Sequence, residues 1–166
     1  ANDGSGVNSS CHVTVTQPKG IELNSTNFPD ENFRNALTGY AGWDGLFTEE
    51  EIKAINVLYV ANWNIERLKG IEFFTELTYL RCERNKIKGE AMDELIDCLP
   101  QREGTRLFYV YDNTHGDEEK VCTKSQVAAA KEKGWIAMYQ KSENSSGWYS
   151  GIDDAKPESI SLPSPM

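Results

Sequence analysis

The chain has 166 residues, 39% of them apolar, a size that supports one hydrophobic core of ordinary dimensions but hardly two. A formal charge of -9, with no basic cluster to act locally against that field, argues against nucleic acid as a partner. Apolar runs are only a few residues long, far short of the roughly 20 needed to cross a bilayer, so no transmembrane segment is expected in this chain.

Residues 1–20 carry Gly, Ser, Asn and Pro around one short alternating piece, His12 to Thr16. No charged-plus-apolar signal sequence opens them, which predicts a mature or trimmed start. The register of Val13 and Val15 matches no later pattern, and their role stays open. Residues 21–54 read as a helical cap. Pro29 suits the first helical turn, Asp30 and Glu31 favour its positive end, and Phe33 and Leu37 give an apolar face. Asp44 to Glu51 then aligns with the second half of an EF-hand loop, but Tyr40 and Gly42 stand where calcium needs oxygen ligands, so no metal site is expected. Thr48 and Glu51 instead form a capping box that starts a short helix.

One pattern is written twice from Ile55 to Ile87. Ile55, Leu58, Val60 and Ile65 are answered 22 residues on by Leu77, Leu80, Cys82 and Ile87, and Asn85 completes an L-x-x-L-x-L-x-x-N motif. A step of 28 from Leu80, Cys82 and Asn85 lands on Phe108, Val110 and Asn113, and a second such step on Ile136 and Met138. This spacing predicts four parallel strands in one register. The short return suits a 3₁₀ or irregular connection, and the long ones suit helices. Met92, Leu95, Ile96 and Leu99 mark the first helix; Thr123-x-x-Gln126 opens the second and Gly134 stops it. The expected fold class is α/β, a short solenoid of about four parallel strands. Its division is an N-terminal segment (1–20), a cap (21–54), repeats (55–140) and an edge cover with tail (141–166).

The succession Asn27-Phe28-Pro29-Asp30-Glu31-Asn32-Phe33-Arg34, the Asp44-Gly45 to Ile52 turn, Leu68 to Thr75 and Lys133-Gly134-Trp135 resemble secreted leucine-rich-repeat proteins of commensal gut bacteria. These are relatives of the internalin-type repeat proteins, which carry a helical, EF-hand-like cap without a necessary metal. The resemblance covers roughly residues 21–140 and implies the repeat fold and export to the cell surface, the extracellular space or the periplasm. The chain departs from the longer members in having four strand positions, and from the consensus at Trp63, where the first repeat lacks asparagine.

Cys11, Cys82, Cys98 and Cys122 fit no metal spacing and no C-x-x-C motif, so structural thiols are the default, with Cys82 pointing inward. No cofactor motif is present. His12 and His115 belong to no catalytic signature; a hydrolytic pair of His115 and Cys122 is the enzyme alternative, and a solvated loop the bland one. After residue 140 the composition turns polar and proline-broken. Trp148, Tyr149 and Ile152 are candidates to cover the last strand, while residues after Asp154 are expected to stay outside the core.

With Leu58, Leu80, Phe108 and Ile136 inward, the period of two sends three columns outward. They read Val57, Tyr79, Leu107, Trp135; Tyr59, Arg81, Tyr109, Ala137; and Ala61, Glu83, Tyr111, Tyr139. Six of the twelve are Tyr or Trp, against 10% aromatics in the whole chain, which is more than strand propensity alone requires. The expected ligand site centres on Tyr59, Arg81, Tyr109 and Tyr111, flanked by Tyr79, Trp135 and Tyr139. Its ligand would be a protein, peptide or glycan, and no residue is assigned to catalysis. The alternative to a binding module is a structural spacer or subunit of a surface assembly.

Overall fold

The computed structural model describes residues 20–101, 103–116, 118 and 121–154. The His12–Thr16 piece, Cys11 and the segment after Asp154 lie outside the described residues.

The described chain starts with β1 (Gly20–Glu22), followed by α1 (Glu31–Leu37), β2 (Leu46–Thr48) and α2 (Glu49–Ala54). β1 and β2 pair antiparallel in a two-stranded sheet absent from the sequence expectations. Asp30 caps α1 by accepting from the Phe33 N–H at 2.9 Å, and Pro29 precedes this cap instead of lying in the first helical turn. The second carboxylate oxygen of Asp30 accepts from Glu66 and Arg67 at 2.8 and 3.1 Å, so one side chain both starts the helix and bolts it to the first repeat. Phe28, Phe33, Phe47, Phe73 and Phe74 close the joint in mostly edge-on and tilted contacts. Gly70, at φ +104°, is needed there: a Cβ would stand 2.3 Å from the Phe28 ring. Thr48 and Glu51 form the expected capping box.

The main sheet runs β3 (Val57–Tyr59), β4 (Tyr79–Arg81), β5 (Arg106–Asp112), β6 (Trp135–Ser142) and β7 (Ser145–Trp148) in that spatial order. β3 to β6 are parallel, as the repeats predict. The sheet is nevertheless mixed and five-stranded, because β7 folds back antiparallel on β6. The short return holds only a 3₁₀ turn, Ile71–Phe73, whereas the two long returns hold α3 (Glu90–Cys98) and α4 (Lys124–Glu132). Leu58, Leu80, Phe108, Val60, Cys82 and Val110 are buried in one core with Met92, Leu95, Ile96 and Ala130 of the helices. Removing any of the fully buried leucines would cost about 2–5 kcal/mol.

Asn85 holds the first turn together. Its carbonyl oxygen accepts from Trp63 and Ile65, both at 3.0 Å, and its amide donates to the Val60 and Cys82 carbonyls at 2.7 and 3.0 Å. The missing asparagine at Trp63 is therefore supplied by the following repeat. Asn113 does not repeat this role, since its side chain is exposed and accepts from the Tyr111 hydroxyl. Glu118 takes over, its carboxylate accepting from the Arg84 and Asp112 N–H groups.

Register fails at the last strand. Leu107 faces Ile136 and Phe108 faces Ala137, a spacing of 29, and only after a bulge between Tyr109 and Tyr111 does Tyr111 face Tyr139 at 28. The extra residue turns the first half of β6 over. Trp135 is 0% exposed and Ala137 buried, so both point into the core instead of outward. Ile136 and Met138, expected inward, take their places. Trp135 is held by its indole N–H donating to the Pro100 carbonyl at 2.9 Å and by the Arg106 guanidinium 5.8 Å from its ring. Tyr111 and Tyr139 follow the same correction, with Tyr111 in the core cluster and Tyr139 packed against it.

The last edge is covered by Tyr149, at 8% exposure, and not by Trp148, at 82%. Beyond Tyr149 the chain crosses to the start of α4, where Ile152 donates to the Cys122 carbonyl at 3.0 Å and accepts from Lys124 at 2.8 Å.

Candidate functional site

Of the expected site residues, the fold brings Tyr59, Tyr79, Arg81 and Tyr109 together on the outward face. It places Tyr111 and Tyr139 on the inner side and buries Trp135. The three tyrosine rings form a row across β3, β4 and β5, with centroids 6.0 Å apart for Tyr59 and Tyr79 and 5.4 Å for Tyr79 and Tyr109. Tyr59 and Tyr109 pair with Arg81, and Tyr79 pairs with Val57 and Leu107, so the rings meet along diagonals between neighbouring strands, within the reach of aromatic side chains.

Its two ends differ. Tyr59 is 58% exposed, while its N–H donates to the Tyr40 hydroxyl at 3.0 Å, which docks the segment after α1 beside β3. Tyr40, one of the residues that spoils the calcium loop, thus has a structural role. Among the described residues no three His, Cys, Asp or Glu side chains are grouped to hold a metal ion. Tyr109 is only 6% exposed, and its hydroxyl bonds to that of Ser146 on β7 at 3.1 Å.

Arg81 fixes the middle of the row. Its guanidinium lies 4.7 Å from the Tyr109 ring centroid, and its Nε donates to Glu83 at 2.7 Å. Glu83 is buried to 3% exposure, and one of its oxygens finds no hydrogen-bond partner among the described residues. Burial pushes its carboxyl above the ordinary value, opposed by Arg81. Burial and then the neighbouring Tyr109 hydroxyl push the Tyr79 phenol up to about 12, so this tyrosine stays protonated across the physiological range.

Three residues join this face that the repeat pattern did not place there. Ile136 and Met138 arrive through the bulge, and Trp148 arrives because it pairs directly with Met138. Tyr59 and Trp148 are therefore the exposed residues of this face, with Tyr79, Arg81, Leu107 and Ile136 half-buried among them. Nothing in local spacing signals a bulge, so a fixed period of 28 could not find them.

The Cys122 and His115 pair does not assemble. His115 Nδ1 stands 2.9 Å from both the Asp112 carboxylate and the Thr114 hydroxyl, whereas the buried Cys122 thiol faces the Thr123 carbonyl at 4.0 Å. Burial pushes the Cys122 thiol up to about 12, the wrong direction for a nucleophile. Cys82, Cys98 and Cys122 are free thiols, with Cys82 buried as its inward position requires.

No helix among the described residues is long and apolar enough to cross a membrane. The sequence matches no protein-family model and no curated protein. Among solved structures, the chain is similar to an internalin from Listeria monocytogenes, with 18% identity and a TM-score of 0.43 over 75% of this chain and 39% of that one. It is also similar to internalin C2 of the same organism, with 14% identity and a TM-score of 0.38 over 73% of this chain and 69% of that one. The chain thus spans 39% of the length of the first of these two structures.

Proposed function

We propose that this chain is a non-catalytic binding module of the leucine-rich-repeat solenoid kind, exported to the cell surface or beyond, whose ligand lies across the outward face of the sheet. The observation that carries the reading is the tyrosine row, braced by Arg81 and the buried Glu83 and continued in half-exposed Leu107 and Ile136. Tyr, Trp and Arg are the side chains that contribute most when a surface is desolvated by a partner. Bracing matters because a ring already held in place loses little entropy on binding. Residues 21–54 serve as the cap, 55–140 as the repeats, and the segment from 141 as the edge cover.

The test is a peptide and glycan array probed with the pure chain, followed by Tyr59→Ser and Tyr79→Ser. Circular dichroism should show both variants folded, and binding to any array hit should be lost. Retained binding in both would move the ligand away from this face. The second reading, a subunit of a surface assembly, is favoured by one feature: β7 is an edge strand of Ser, Ser, Gly and Trp, with no charge or proline to protect it. Light scattering that shows only monomer at high concentration would remove self-association as the basis for that reading.

A further inference from the structure

The bulge in β5 has a second effect, on the inner side of the sheet. By turning Tyr111 inward opposite Tyr139, it sets two tyrosine rings 6.3 Å apart at the C-terminal ends of β5 and β6, and Tyr149 adds a third ring 6.1 Å from Tyr111. The chain from Tyr149 to Ile152 passes beside them on its way to α4, and a cavity of 470 Å³ remains between. Gly147 keeps this space open, since a Cβ there would stand 2.7 Å from the Tyr139 ring and push it aside.

The lining chemistry is selective. Besides the three tyrosines, the walls present Trp148, Ile152, the Asn113 amide and Ser150, and none of the described residues that line the cavity is charged. The Asn113 side chain is exposed, with its oxygen 3.2 Å from the Tyr111 hydroxyl. The Tyr149 hydroxyl is buried and finds no hydrogen-bond partner among the described residues. Burial holds that phenol protonated, with a pKa of about 12.

A phosphate or carboxylate ligand would need a cation that these walls do not supply. A purely apolar ligand would cover the exposed Asn113 amide and Ser150 without offering either a hydrogen bond. A pyranose ring meets both demands, because its C–H face packs on aromatic rings while its hydroxyls exchange hydrogen bonds with neutral amide and hydroxyl groups. The volume falls within the roughly 300–1,000 Å³ range of small-molecule sites. We propose that the cavity lined by Tyr111, Tyr139, Tyr149, Asn113 and Ser150 is a binding site for an uncharged sugar ring. Its tyrosines lie on the opposite side of the sheet from the tyrosine row, Trp148 at the edge borders both, and the site stands independently of the role assigned to that row.

The experiment is saturation-transfer NMR on the full chain with methyl glucoside, galactoside, mannoside and N-acetylglucosaminide, and with methyl glucuronide as the charged control. At least one neutral glycoside should bind with a dissociation constant of about 1 mM, and the glucuronide more weakly than its neutral parent. Tyr139→Leu, which keeps apolar bulk but removes the ring, should weaken binding about tenfold. Asn113→Ala changes an exposed side chain outside the core, so it tests the site even if Tyr139→Leu unfolds. It too should weaken binding about tenfold. No transfer to any neutral glycoside, binding unchanged by Asn113→Ala, or preference for the glucuronide would each overturn the assignment.

Discussion

Two adjacent aromatic residues with opposite exposures give a sharp test of the closing edge. Tyr149 is 8% exposed, packs 6.1 Å from the Tyr111 ring and anchors its backbone N–H on the Ala137 carbonyl at 2.9 Å. Tyr149→Ala keeps the backbone bond but empties a ring-sized volume, which should cost about 3 kcal/mol. Trp148 is 82% exposed, and Trp148→Ala should stay within about 0.5 kcal/mol. Tyr149→Phe separates packing from polarity. It deletes a buried hydroxyl that has no partner among the described residues, so stability should hold or rise by up to about 1 kcal/mol. Urea unfolding followed by far-ultraviolet circular dichroism gives the three midpoints, converted with a shared m-value if the slopes agree. If Trp148→Ala costs as much as Tyr149→Ala, the wrong ring has been identified as the cover. If Tyr149→Phe loses more than about 1 kcal/mol, the hydroxyl has a partner and the polar argument fails.

Asn85→Ala should destabilise by about 2–3 kcal/mol, because it strands two backbone N–H groups and two carbonyls at once, and a urea midpoint close to that of the parent chain would contradict the network. Native-state alkylation with peptide mapping should label Cys98, which is partly exposed, well before Cys82 or Cys122; early labelling of Cys82 would count against the inward register. The pH profile isolates Glu83, whose folded carboxyl titrates above the ordinary 4.5 because of burial. The native state then binds the proton more tightly than the unfolded chain, so this contribution is fully present below pH 4.5 and fades as pH rises through the folded value. Melting temperatures between pH 4.5 and 7 should fall more for the parent than for Glu83→Gln, and parallel profiles would refute the burial argument.

Much of the fold was legible because it is carried by local periodicity. Leu58, Leu80 and Phe108 share a register that both parallel pairs reproduce, and the return lengths sort a 3₁₀ turn from two helices. The capping boxes at Thr48 and Thr123 are written within four residues and appear as such. What escaped depends on partners distant in sequence. Asp30 reads as a helix cap, but its second oxygen serves Glu66 and Arg67 more than thirty residues on. Tyr40 reads as a failed calcium ligand until its hydroxyl meets the Tyr59 N–H. Glu118 carries no asparagine signature, yet its carboxylate serves the backbone of Asp112 at the end of β5 and of Arg84 in the bend after β4.

The binding face shows how one inserted residue redistributes chemistry. With an unbroken period of 28, Tyr111, Trp135 and Tyr139 would have extended the aromatic row across all four parallel strands. Val110 and Tyr111 instead both turn inward, since a bulge places two consecutive residues against one on the neighbouring strand. The outward face loses three aromatics and gains Ile136 and Met138 with Trp148 beside them, which leaves the tyrosine rings concentrated at Tyr59, Tyr79 and Tyr109. The displaced tyrosines do not vanish into an all-apolar core, because β7 and the crossing from Tyr149 to Ile152 leave a cavity beside them. The same local twist thus divides one expected surface into two, each with its own lining: an outward strip of rings braced by an ion pair, and an inner recess whose described walls are neutral. Inserting one alanine between Met138 and Tyr139 should give Val110 a partner on β6 and remove the bulge, which turns Tyr111 and Tyr139 outward. If the division has this origin, the insertion variant loses the inner recess, and a variant that still binds an uncharged sugar in it would show that the bulge is not the cause.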